Sequence, residues 1–154
     1  MKDSSNQFTA RLQKGGALIE DMRMLVRAWS DGMGKSDPIP ELVSILPKVT
    51  VARVRDTFVR AFRPRFMNGS PHQAWKLAKA LEEENADSNI IRPFYYWITA
   101  RAEMPMYSYV TDVLYSQSRS GSQDVRSEDA AAWLKTQVVG IDKEWTPTVA
   151  RKVA

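Results

Sequence analysis

Prolines and helix-capping side chains cut this chain into short stretches, and each stretch repeats its apolar residues at helical spacing. Leu18, Met22, Leu25 and Trp29 predict a first helix over 16–29, ended by Asp31-Gly32. A Gly, Ser and Pro-rich loop follows, and Pro40 suits the first position of a short helix over 40–46. Pro47 ends that helix, because proline disfavours a helical residue before it. Thr50 reads as the N-cap of a third helix to about Arg63, with Val51, Val54, Phe58 and Phe62 as its buried stripe. Ser70-Pro71 repeats the cap-and-proline start for a fourth helix, which turns Ala74, Leu77, Ala78 and Leu81 inward and ends in the polar run 82–87. Ser88 or Asn89 opens the next element, which holds Pro93 and the bulky run Phe94, Tyr95, Tyr96, Trp97 and Ile98. A short apolar run of this kind also suits a buried strand, but its helical neighbours favour a helix.

Pro105 precedes a sixth segment over 106–116, and the Ser, Gly and Gln-rich residues 117–126 read as an exposed linker. Beyond it Ser127 caps a helix to about Val138, with Glu128 and Asp129 favouring the positive end of its dipole, and Gly140 ends it. Thr146-Pro147 starts another helix that has only two turns before Ala154, so this last module reads as cut short. The expected fold is all-α: a helical domain over 1–116, a linker over 117–126 and a partial C-terminal module over 127–154. The capped helix, a turn of about seven residues and a second helix with Arg151 and Lys152 make that module resemble a helix-turn-helix.

Charge is distributed unevenly. The 154 residues carry 22 Lys and Arg against 18 Asp and Glu, a formal net charge of +4. The first 85 residues hold 14 basic against 10 acidic side chains, and the remainder holds eight of each. Within 18 residues, Lys48, Arg53, Arg55, Arg60, Arg63 and Arg65 face the single Asp56. This stretch alone outweighs the net charge of the whole chain. On a helix, Arg53, Arg60 and Arg63 share one face beside the apolar stripe, while Arg55 falls nearer its buried edge. Such a ridge can hold phosphates bidentately and release counterions without reading bases. Alternatively, acids such as Glu20, Asp21 or 82–84 neutralise it.

No residue pattern points to catalysis. Gly32-Met33-Gly34-Lys35-Ser36 ends like a phosphate-binding loop, but Trp29 stands where that loop needs its first glycine, and a helix precedes it instead of a strand. No glycine-flanked serine elbow is present, and His72, the single histidine, lies at an expected helix start. Without cysteine there is no disulfide, thiolate metal site or cysteine nucleophile. No metal, cofactor or small-molecule substrate is expected. The polar start 1–6 lacks the layout of a secretory signal. The longest apolar run, around Phe94 to Ile98, is far short of the roughly 20 residues that span a bilayer. The expected location is the cytoplasm, with no membrane contact.

Four features together resemble the BrxA family of the BREX phage-defence systems: the 8–16 opening, the helix after Thr50 closing in Arg65-Phe66, the aromatic Phe94 to Ile98 element, and Trp145-Thr146. The resemblance covers nearly the whole chain. It implies a helical fold related to the antitermination factor NusB, a role in restricting phage DNA, and binding of double-stranded DNA. It also implies other BREX proteins as partners and a C-terminal module longer than the one present. With it, the leading expectation is a non-enzymatic DNA-binding accessory protein whose Lys48, Arg53, Arg60, Arg63 and Arg65 contact phosphate. A scaffold docking through exposed aromatics and arginines, or an RNA-binding NusB-like module, is the alternative.

Overall fold

The computed structural model describes residues 18–46, 50–121, 124 and 126–138, and every regular element among them is helical. Lys48, the 8–16 opening, Pro47, Gly140 and the second helix of the C-terminal module lie outside the described residues. The chain divides into two compact units, one ending at Ala102 and the other holding the described residues from Glu103 onward. The division thus precedes the 117–126 linker where the sequence suggests a boundary. Glu103 has an extended backbone that separates two helices, whereas helical structure runs on through residue 119.

In the first unit α1 (Ile19–Ala28) buries Ile19, Met22, Leu25 and Val26. After a single 3-10 turn, α2 (Ile39–Ile45) carries Pro40 in its first turn and buries Ile39 and Leu42. The Thr50 side chain caps α3 (Val51–Thr57), accepting the Arg53 N–H at 3.2 Å. The same helix continues as a π-helical stretch, Phe58–Met67. Its wider turn shows in the bond from Asn68 N–H to the Arg63 carbonyl, 2.9 Å and five residues back. Pro64 within this stretch offers no N–H to a regular ladder.

This geometry stands two inward columns side by side at four-residue spacing. Phe58, Phe62 and Phe66 form one, and their rings stack at centroid distances of 6.0 and 5.7 Å. Trp29 joins this ladder at 5.3 Å from Phe58, and Tyr95 joins at 5.2 Å from Phe66. Thr57, Ala61 and Arg65 form the other column, all buried. Val51, expected in the buried stripe, is exposed because it heads a third column with Arg55 and Val59 that faces solvent. At Gly69 the chain leaves the helix so closely that a Cβ would stand 2.4 Å from the Arg65 carbonyl oxygen, so only glycine fits.

Helix α4 (Ala74–Glu83) begins later than Ser70-Pro71 suggests, because Gln73 adopts a left-handed conformation that a helix cannot pass through. Its buried arc is Ala74, Trp75, Ala78 and Glu82, which leaves Leu77 exposed at the arc's outer edge. Asn85, also left-handed, turns the chain at its end, and the Ala86 N–H reaches back to the Leu81 carbonyl at 3.0 Å. Helix α5 (Ser88–Ala102) follows, with Asp87 accepting the Asn89 N–H at 2.7 Å. The aromatic run is therefore helical, as its neighbours suggested. It buries Ile91, Tyr95 and Ile98.

In the second unit α6 comprises three consecutive helical turns of different pitch: Met104–Ser108, the π-helical Tyr109–Leu114, and Tyr115–Arg119. Helix α7 (Ser127–Gln137) buries Ala130 and Leu134, and its Trp133 ring lies 5.2 Å from that of Tyr109. Ser127 is its first helical residue; Arg126, not Ser127, holds the cap position. Burial, with the nearby Asp129 carboxylate, raises the Tyr109 phenol above its ordinary range.

Candidate nucleic-acid interface

Two arginine clusters form in the first unit, and only one was anticipated. Along α3 and its π-helical continuation, Arg55, Arg60 and Arg63 are exposed and Arg53 is half-buried. The Arg60 Nε lies 3.1 Å from Asp56 Oδ1, one turn earlier on the same face. Arg55 reaches Asp37 at 3.9 Å, with both side chains more than half exposed. The Arg63 guanidinium sits 4.9 Å from the centre of the Phe58 ring, which aims it along the helix surface. Exposed pairs of this kind contribute about 0–1 kcal/mol, so they leave the guanidinium groups open to a competing anion.

Arg65 does not belong to this face. It is 1% exposed, because it stands three residues beyond Phe62 and four beyond Ala61 on the inward face of the helix. Its charge suggested the surface; its register assigns it to the core. Arg55 moves the opposite way, from an expected place near the buried edge to a side chain that is 58% exposed.

The second cluster joins α1 to α4. Glu82, whose side chain is 2% exposed, accepts two bonds from Arg23: Nε at 2.7 Å and Nη2 at 3.1 Å. Arg27 adds its Nε at 2.8 Å and its Nη2 to the same carboxylate. Burial alone would raise the Glu82 carboxyl, but the bonds from Arg23 and then Arg27 overcome it and hold the group below the ordinary carboxylate range. The bond to Glu82 correspondingly raises Arg23. Tyr95 behind them is raised by its burial and then by the Glu82 charge. Glu20 also pairs with Arg23, at 3.7 Å. Glu20 and Glu82, named as possible neutralisers of the basic helix, thus engage α1 arginines. The sequence held one signal for this: Glu82 follows Ala74 and Ala78 on a four-residue buried column, and a charge there needs partners.

Elsewhere, the Gly-Lys-Ser stretch follows α1 and enters the 3-10 turn Met33–Lys35, and His72 is exposed before α4. Among the described residues, no helix is long and apolar enough to cross a membrane.

These features define an all-helical protein that turns one arginine-bearing helix face to solvent. The BrxA family model matches residues 6–154, and the chain belongs to the BrxA family, a component of BREX phage defence. Neither a curated protein nor a solved structure matches it.

Proposed function

We propose that this chain is a non-enzymatic, cytoplasmic accessory protein of a BREX system that holds double-stranded DNA by its phosphate backbone. The NusB-like relationship belongs to the same proposal. The reading is carried by one observation: Arg55, Arg60 and Arg63 reach solvent from a single helical element, and the acids that meet them there among the described residues, Asp56 and Asp37, have side chains 44% and 61% exposed. Membership of the BrxA family, a component of BREX phage defence, supports the reading. Arg53 extends the contact and Arg65 is withdrawn from it, while Lys48 lies outside the described residues.

Fluorescence anisotropy of a labelled duplex across a salt series tests the reading. Four arginine contacts predict a log-log slope of about −3.5. Absence of binding at low salt rejects the proposal, and stronger competition by duplex RNA than by duplex DNA redirects it to RNA.

A further inference from the structure

The solvent face of α3 and its π-helical continuation is not built of charge alone. Val51, Arg55, Val59 and Arg63 follow one another at four-residue spacing, and all four are exposed. The two valines are 55% and 45% exposed. Valine is a poorer helix former than alanine, so neither helix propensity nor burial accounts for it at these positions. Arg60 flanks the column, with Asp56 beside it at 3.1 Å, and Asp37 approaches Arg55 at 3.9 Å. From Val51 to Met67 the sequence holds Asp56 as its one acid and no lysine. The centre of this cationic face is therefore a line in which short apolar side chains alternate with guanidinium groups.

We propose that this column enters the major groove of duplex DNA, where Val51 and Val59 pack against thymine 5-methyl groups while Arg55, Arg60 and Arg63 hold the phosphates on either side. The inference rests on the phosphate-backbone reading of the same face and adds a base contact to it. The major groove admits an α-helix, and the thymine methyl is the apolar group that the base edges present there. A valine on the central column of an inserted helix thus meets a partner of matching chemistry. Eight residues separate the two valines, about 12 Å of helix rise, which spans three to four base steps of roughly 3.4 Å. A protein segment suits the column less well, because valine is under-represented among interface anchors and the column has no aromatic side chain. A second copy packed isologously on the same face would bring arginine toward arginine.

The test compares, by fluorescence anisotropy with the full chain, a duplex rich in A·T pairs and the same duplex carrying deoxyuridine in place of thymidine. That exchange removes the 5-methyl groups and leaves the phosphates in place. The native chain should bind the deoxyuridine duplex at least threefold more weakly, since burying one methyl group is worth roughly fourfold in affinity. The salt slope should be the same for both duplexes. Val59→Ser should bind the two duplexes more nearly alike, and so should Val51→Ser, each with the native salt slope and an unfolding midpoint little changed. A native chain that binds both duplexes equally, with a slope of about −3.5, overturns the methyl contact and leaves the phosphate reading standing. So does a discrimination that either valine variant leaves unchanged. Absence of any duplex binding by the native chain rejects the phosphate reading and this inference with it.

Discussion

Arg23 and Arg27 on α1, and Arg60 and Arg63 beyond α3, are chemically identical side chains at helical spacing, yet their surroundings give them opposite roles. The α1 pair closes on Glu82, whose side chain is 2% exposed, so its hydrogen bonds join two helices across 55 and 59 residues of chain. Among the described residues Arg60 meets Asp56, four residues away and 44% exposed. A carboxylate removed from water needs its cations and holds them; one in water leaves them available. The same charge is a structural clamp in one place and, in the other, a solvent-exposed face where the proposed phosphate contact lies. Burial of the acid decides which.

The largest test breaks the clamp. Glu82→Ala leaves Arg23 facing the interior without its carboxylate and should lower stability by about 3 kcal/mol, read from denaturant unfolding; this is the low end for a broken buried pair because Arg27 reaches solvent. A loss below about 1 kcal/mol would place this cluster with ordinary surface pairs.

Arg65 and Arg63 bring the comparison within one helix. Arg65→Ala should cost about 2 kcal/mol through lost packing of a buried stem and its polar head. Arg63→Ala should cost about 0.5–1 kcal/mol, the value of an exposed cation–π contact. Equal losses would contradict the assignment of Arg65 to the inward column.

Acid separates the clusters in a third way. Glu82 titrates lower folded than unfolded, so its contribution is complete above its unfolded pKa and is lost as pH falls through and below the ordinary carboxylate range. Unfolding curves from pH 6 to pH 3 should show that loss in the native chain and a shallower one in Glu82→Gln. The smallest effect belongs to Asp56→Asn, which should change stability by no more than about 0.5 kcal/mol while tightening duplex binding, because Arg60 loses a competing acid.

Local signals carried most of the helical layout. The Thr50 cap, the start of α5 beyond Asp87 and the solvent face of Arg60 and Arg63 follow from neighbours within a turn, which is the range over which helical periodicity is informative. Arg65 stands seven residues beyond Phe58 and three beyond Phe62, on the buried stripe even at ordinary helical spacing, so the periodicity carried its burial and its charge masked it. Leu77 was misplaced because Trp75 and Glu82 set the buried arc of α4. The Glu82 clamp was hidden by distance along the chain, although its place on the Ala74 and Ala78 column carried a trace of it. The α4 start was obscured by the left-handed Gln73, a conformation uncommon for a residue with a side chain.

Duplex DNA affinity against salt, compared between the native chain and Arg60→Glu/Arg63→Glu, tests the central claim most directly. Binding to the native chain should weaken with salt at a slope of about −3.5, and the double variant should bind at least tenfold more weakly with a slope shallower by about 2. Its unfolding midpoint should be little changed. A double variant that binds duplex as tightly as the native chain, with the same salt slope, would contradict the account.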